Sequence, residues 1–178
     1  MSEVNTYRPQ ATGVQHHFYI TGAIKEAEHY LDLIECLYSA TPSDEIILHL
    51  NTPGGDLDTT IQIINGIRSC AGVVVGIADG IVASAGTVIF FSCHSLVVQP
   101  FSYFMFHDGS EAAMGKINDN LAQVTFMSKF LANLFMEVYV PFFSKAEVTK
   151  ILNGKDLWLT SDEIVERITK VVEAEEAE

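Results

Sequence analysis

The stretch that decides the fold of this chain is residues 73–87, VVVGIADGIVASAGT. It begins with an apolar run over 73–77 that is typical of a buried strand, and it ends in small residues around Ser84. Neighbours with little bulk, such as Ala83 and Ala85, let a backbone and a substrate carbonyl approach closely. A junction from strand to helix here would also direct free backbone N–H groups at the serine. Ser84 is therefore a candidate nucleophile, provided that a base lies within reach.

Strands and helices alternate along the chain on both sides of this stretch. Apolar runs predict strands over 16–20, 46–50, 73–77, 96–99 and 103–106. Helical spacing of apolar residues, or a capping pattern, predicts helices over 25–38, 57–67 and 115–139, after Ser84, from Ser144 to Gly154, and after Thr160. This alternation predicts an α/β fold with a mainly parallel sheet and flanking helices. The helix over 115–139 carries apolar residues on more than one face, so we expect another subunit to bury part of it.

The 178 residues are enough for one domain with a substantial core. Apolar residues make up 48% of the chain and charged residues 19%, which is a globular composition. We predict a flexible N-terminal segment at 1–15, one domain at 16–170 and an acidic C-terminal tail at 171–178.

Charge and cysteine usage exclude several classes of protein. The net charge of −13 disfavours binding to nucleic acid or to an anionic membrane, since both require basic patches. Three scattered cysteines, Cys36, Cys70 and Cys93, indicate reduced thiols in a cytoplasmic protein. The N-terminus lacks an apolar core, so we expect no signal peptide. Residues 71–93 are apolar enough to imitate a membrane span, but Asp79 and several glycines favour a buried strand followed by a helix.

His107 is the candidate base for Ser84. A histidine that closes a strand is usually structural, and five other histidines compete with it: His16, His17, His29, His49 and His94. Only His107 leads into a polar, glycine-containing turn, which suits a base at the rim of a cleft. No pair has the His-x-x-x-His spacing of a metal site, so we expect no metal.

Three further residues complete the hypothesis. Gly55, in a turn after the second predicted strand, could donate its backbone N–H to an oxyanion, with the N–H of Ala85 as a second donor. The alternative for Gly55 is an ordinary tight turn. Asp156 could orient His107, although an aspartate after a glycine is most often a turn or cap residue.

Five segments support one family, and they occur in its order: 18–22 (FYITG), 51–55 (NTPGG), 83–86 (ASAG), 105–107 (MFH) and 155–160 (KDLWLT). Together they resemble the ClpP family of serine peptidases over roughly residues 16–166. The resemblance implies Ser84 as nucleophile, His107 as base, Asp156 as the residue that orients it, and the N–H groups of Gly55 and Ala85 as the oxyanion hole.

The resemblance also implies an architecture and partners. The fold would be ClpP/crotonase-like, with the helix over 115–139 as a protruding handle. Subunits would form stacked rings, heptameric in this family, around a chamber that cleaves polypeptides. Such peptidases use no metal or organic cofactor, and they depend on an ATP-driven unfoldase of the AAA+ class to degrade folded proteins.

Departures from the family pattern leave alternatives open. Asp108-Gly109 replaces Gln-Pro after the histidine, Lys155 replaces an arginine, and Ala85 replaces a methionine. These changes indicate a divergent member, and a phage procapsid-maturation protease is one version of that interpretation. A catalytically silent structural or regulatory subunit is a second hypothesis. A crotonase-like acyl-CoA enzyme ranks lower, because it does not need Ser84, His107 and Asp156 together.

Overall fold

The computed structural model describes residues 13–109 and 117–177, and a single sheet forms the centre of this part. Its strands are β1 (Gln15–Thr21), β2 (Glu45–Thr52), β3 (Val73–Ala83), β4 (Ser95–Val98), β5 (Tyr103–Phe106) and β6 (Leu157–Thr160). The helices are α1 (Leu31–Ser39), α2 (Leu57–Ser69), α3 (Ala85–Phe91), α4 (Ile117–Tyr139), α5 (Lys145–Leu152) and α6 (Ser161–Glu175). A short 3-10 turn at Ala27–Tyr30 leads into α1.

The strand order is β1-β2-β3-β5-β6, and β4 also pairs with β3. Every pair is parallel except β5 with β6, which is antiparallel. β3 is long enough to pair with two strands along one edge: residues 75–78 pair with β4, and residues 81–83 pair with β5. The predicted α/β fold with a mainly parallel sheet and flanking helices is therefore confirmed.

The main core lies where α1, α2 and α3 pack with the sheet. Branched apolar side chains fill it, as expected for parallel strands that are covered by helices: Ile46, Leu48, Leu50, Ile63, Ile67 and Val74 are all fully buried. Gly66 of α2 allows the close packing of α1, since a Cβ there would lie 3.0 Å from Leu37 Cδ1.

A cluster of aromatic rings lies at the C-terminal end of α4. The Tyr139 ring packs edge-on against Phe91 of α3 and Phe106 of β5, with centroids 6.0 and 5.4 Å apart. Phe143, just beyond α4, packs on Phe106 at 4.9 Å. Because such pairs each contribute about 0.5–1.5 kcal/mol beyond their burial, the cluster holds α3, β5 and the end of α4 together.

α4 changes character along its length. Leu121, Val124 and Phe126 in its first half are exposed, whereas one face of the last two turns, with Leu134, Phe135, Val138 and Tyr139, is buried against the core. The exposed apolar side chains agree with the expectation that another subunit buries part of this helix. Burial by another subunit stays a prediction.

The structure extends several predicted elements. β3 continues beyond residue 77 to Ala83, because Asp79 and Gly80 interrupt the apolar pattern without ending the strand. β6 was not predicted, since its four residues form a strand only by pairing with β5. α6 continues to Glu175, so residues 171–175 of the predicted acidic tail are helical. The predictions for residues 1–12 and for a helix start at residues 115–116 lie outside the described residues.

The candidate membrane segment is divided between strand β3 and helix α3. Across the described ranges, no helix is both long and apolar enough to cross a membrane. The three cysteines all have free thiols.

One ion pair predicts how stability depends on pH. Arg167 of α6 donates to Glu147 of α5 at 2.8 Å and lies over the Phe143 ring. This bond is the main reason why the pKa of Glu147 falls from 4.5 to about 2. A depressed carboxyl pKa stabilises the fold above pH 4.5, and this contribution is lost as the pH falls through about 2.

We therefore expect the free energy of unfolding to fall by about 1 kcal/mol between pH 6 and pH 3 on account of Glu147, since the pair is partly exposed. Urea denaturation at both pH values measures this loss. Glu147→Gln should remove this part of the pH dependence, whereas Glu28→Gln, at an exposed carboxylate, should retain it. Equal pH dependence in both variants would contradict the assignment.

Candidate active site

Ser84 is the residue between β3 and α3, and its backbone is strained. Its φ of 53° and ψ of −126° make it the only non-glycine residue of the described part with a positive φ. This conformation costs about 1–3 kcal/mol and persists only where surrounding contacts impose it. The Ser84 N–H donates to the Met105 carbonyl of β5 at 2.8 Å, and the Ser84 carbonyl accepts from the Thr87 N–H at 2.9 Å. The turn therefore holds the side chain half-buried at the C-terminal end of β3, an interior strand of the sheet.

His107, the predicted base, lies against Ser84. It directly follows β5, and Ala83 pairs with Met105 in the register of β3 with β5. That register brings His107 Nε2 to 2.6 Å from Ser84 Oγ. With a proton on Nδ1, Nε2 accepts the hydroxyl proton, which is the hydrogen bond that a general base needs.

The turn after β2 packs directly against Ser84. A Cβ at Gly54 would lie 2.7 Å from Ser84 Cβ and 2.8 Å from the Ala83 carbonyl oxygen, so no side chain fits there. Two backbone bonds fix the turn: the Ile24 N–H donates to the Gly54 carbonyl, and the Asp56 N–H donates to the Ile24 carbonyl, both at 2.9 Å.

These bonds leave the Gly55 N–H without an acceptor within the described part of the chain. The Ala85 N–H also has no acceptor there, because Ala85 is the first residue of α3. Two free N–H groups thus belong to the two segments that meet at Ser84. Such donors can bind a developing oxyanion.

Gly54→Ala is expected to lower the free energy of unfolding by about 2–4 kcal/mol, because it adds a clash with Ser84 to a φ of +95°. Gly22→Ala is the matched control: Gly22 has a φ of +78°, but a Cβ there meets nothing within 4 Å. It should cost only about 1 kcal/mol. Urea denaturation compares the two variants, and equal losses would contradict close packing of Gly54 on Ser84.

Asp156 stands apart from this arrangement. It is exposed in the loop before β6, and within the described residues it makes no hydrogen bond to His107. Asp108, which follows His107, points its carboxylate toward the same loop: Oδ2 would lie 3.9 Å from a Cβ at Gly154. The structure brings Ser84, His107 and the Gly54–Gly55 turn together, while Asp156 remains outside hydrogen-bond reach.

The remaining histidines were the alternatives to His107. His49 Nδ1 lies 2.7 Å from Asp79 Oδ2, and its Nε2 lies 3.1 Å from His17 Nδ1. His94 Nδ1 accepts from the Val74 N–H. None of these contacts involves a hydroxyl, so within the described part of the chain these rings are not hydrogen-bonded to a serine. Within that part, no group of three or more His, Cys, Asp or Glu side chains is placed to hold a metal ion.

The sequence analysis did not find Thr87 and Tyr139, which form hydrogen bonds that lead to the backbone of Ser84. Thr87 Oγ1 donates to the Ser84 carbonyl at 2.6 Å and lies 2.7 Å from the Tyr139 hydroxyl. A threonine as the third residue of a helix is a weak signal for such a bond. Nothing in the spacing points to Tyr139, which is 52 residues further along the chain.

A strained serine at the end of a parallel strand, with a histidine on its hydroxyl and free N–H groups beside it, is an arrangement that serine hydrolases use. A sequence profile described as Clp protease matches residues 15–174. The chain belongs to the Clp protease family.

One curated relative is the ATP-dependent Clp protease proteolytic subunit 2 of Pseudomonas aeruginosa. It is 25% identical to this chain over 166 residues, which cover 88% of this chain and 81% of that protein. The chain is therefore a ClpP-like member of the family. Membership of this family supports its assignment as a peptidase.

Proposed function

We propose that the chain is a serine endopeptidase that cleaves polypeptides through an acyl-enzyme. The observation that carries the proposal is the 2.6 Å hydrogen bond between His107 Nε2 and Ser84 Oγ, at a serine held in a strained turn. We assign the catalytic domain to residues 16–170, with flanking segments at 1–15 and 171–178.

The steps follow from these groups. His107 takes the hydroxyl proton as Ser84 Oγ attacks the peptide carbonyl carbon. The N–H groups of Gly55 and Ala85 stabilise the negative charge that develops on the carbonyl oxygen. His107 then donates the proton to the leaving amine, which departs and leaves an ester on Ser84. Water then gives a proton to His107 as its oxygen attacks the ester carbonyl carbon. His107 returns that proton to Ser84 Oγ as the ester bond breaks, which releases the second product and restores the free serine.

Asp156 is proposed to orient His107 in the working state. Its exposed position requires the loop at 154–156 to move toward His107 Nδ1, and apo sites often have looser contacts than substrate complexes. Asp108 borders the same loop but is adjacent to His107 in sequence, so we assign it no role in orientation.

The two carboxylates give a matched pair of variants. Asp156→Asn is expected to lower kcat by about 10⁴-fold, since a correctly placed carboxylate stabilises the protonated histidine. Asp108→Asn should change kcat by less than about threefold, in line with loss of a solvated charge. Hydrolysis of a fluorogenic peptide by the assembled protein measures both. Equal effects, or a larger loss in Asp108→Asn, would contradict the role of Asp156.

We further propose that the protein works as stacked homo-oligomeric rings served by an AAA+ unfoldase. The exposed apolar side chains of α4, at Leu121, Val124 and Phe126, support an additional interface. Family membership supports rings of the ClpP type and a cytoplasmic site of action. Sedimentation analysis of the purified chain tests the assembly.

A catalytically silent subunit is the second candidate. It is favoured by one observation, the exposed Asp156 without a bond to His107. The experiment that separates the two functions is peptide hydrolysis by the assembled wild-type protein, together with inhibition by a fluorophosphonate. Turnover that the inhibitor abolishes at one equivalent per chain supports the peptidase, whereas no turnover of any peptide in a diverse panel supports the silent subunit.

A further inference from the structure

A chain of buried hydrogen bonds runs from the end of α4 to the backbone of Ser84. Tyr139 and Thr87 are both fully buried. The Tyr139 hydroxyl lies 2.7 Å from Thr87 Oγ1, and Thr87 Oγ1 lies 2.6 Å from the Ser84 carbonyl oxygen. A buried hydroxyl that loses its partner in such a site cannot bond to water instead, so breaking either bond is unfavourable in free energy.

The proton positions in this series of hydrogen bonds follow from which groups can donate and which can only accept. A carbonyl oxygen only accepts, so the single Thr87 hydroxyl proton is donated to Ser84. Tyr139 must then donate its own proton to Thr87 Oγ1. Burial raises the pKa of the Tyr139 phenol, so the hydroxyl keeps this proton throughout the neutral pH range. Tyr139 therefore acts on Ser84 only through Thr87.

The same tyrosine also contacts the segment that carries the base. Its ring packs edge-on against Phe106, with centroids 5.4 Å apart, and Phe106 directly precedes His107. One side chain thus supports the backbone of Ser84 on one side and the strand end before His107 on the other.

We propose that Thr87 and Tyr139 are positioning residues that hold Ser84 in its strained turn, with its hydroxyl toward His107. This proposal rests on the proposed serine peptidase function. A strained turn persists only where several contacts hold it in place. The Ser84 carbonyl accepts two such hydrogen bonds from Thr87, one from the Thr87 N–H and one from the Thr87 hydroxyl. Loss of the hydroxyl bonds releases the turn and lowers the reactivity of Ser84.

Four variants of the full-length assembled protein test this proposal: Thr87→Val, Tyr139→Phe, the double variant and Thr87→Ser. The readout is the second-order rate constant for modification of Ser84 by a fluorophosphonate, measured well below each unfolding midpoint. We expect Thr87→Val to slow modification by about tenfold and Tyr139→Phe by about threefold. The double variant should be no slower than Thr87→Val, and Thr87→Ser should stay within about twofold of the wild type.

Two outcomes overturn the proposal. One is a wild-type rate in both single variants with lowered unfolding midpoints, which would make the bonds merely structural. The other is independent, multiplying effects in the double variant, which would mean that Tyr139 does not act through Thr87. Tyr139→Phe keeps the ring contacts, so it decides the question even where Thr87→Val does not fold.

A second readout separates this proposal from the peptidase function. Crystal structures of the wild type and of the variants report the φ of Ser84 without any need for reactivity. A positive φ in the wild type that relaxes to a negative φ in Thr87→Val or Tyr139→Phe supports the positioning role, even if the wild type does not react with the probe. An unchanged Ser84 backbone in both variants overturns it. Failure of wild-type Ser84 to react counts against the peptidase function alone.

Discussion

Ser84→Ala is expected to lower peptide turnover by about 10⁴-fold or more while the protein stays folded. The variant removes the oxygen that forms the acyl-enzyme, so only the N–H donors and substrate binding remain to assist hydrolysis. Alanine also lacks the hydroxyl bonded to His107 but keeps the Cβ that packs near Gly54. The measurement is kcat/KM for a fluorogenic peptide, together with sedimentation to verify assembly.

Ser95→Ala is the control for this variant. Ser95 is an exposed residue of β4, and it makes no contact with His107. It should retain turnover within about twofold, as expected for a surface substitution. Residual activity of more than about one per cent in purified Ser84→Ala would reject Ser84 as the nucleophile, because no acyl-enzyme could form there.

His107→Ala is expected to lower turnover by a similar factor, about 10⁴-fold, since the serine hydroxyl then has no base within reach. His107 is half-buried in a small site beside exposed residues, so added imidazole can enter the space that the variant leaves. We expect imidazole to restore part of the activity of His107→Ala and none of the activity of Ser84→Ala. The initial rate of peptide hydrolysis against imidazole concentration measures the rescue.

The matched variant is His29→Ala, at an exposed histidine within the 3-10 turn. It should keep wild-type turnover and show no response to imidazole. An equal loss in both histidine variants, or turnover in His107→Ala close to that of the wild type, would contradict the assignment of the base.

Local sequence was sufficient to predict the junction of strand and helix at Ser84. The apolar run of β3, the small residues after it and the pattern of the first helical turn are all properties of adjacent residues. The capping boxes at Ser144 and Thr160 were predictable for the same reason, since each bond spans three residues.

Contacts between residues that are far apart in the sequence could not be predicted from local patterns. The 2.6 Å contact of His107 with Ser84 depends on the register of β5 with β3, which no local pattern contains. β6 forms only by antiparallel pairing with β5, so the position of the loop that carries Asp156 was not predictable either. The bond between Thr87 and Tyr139 joins a helix start to the end of a helix 52 residues away.

The central claim is that Ser84 is a nucleophile activated by His107. The most direct measurement is the intact mass of the assembled protein after reaction with a fluorophosphonate, followed by peptide mapping of the adduct. The account predicts one adduct per chain, located on Ser84, that forms slowly or not at all in His107→Ala and is absent from Ser84→Ala. A folded, assembled wild-type protein that gains no adduct on Ser84 would contradict it.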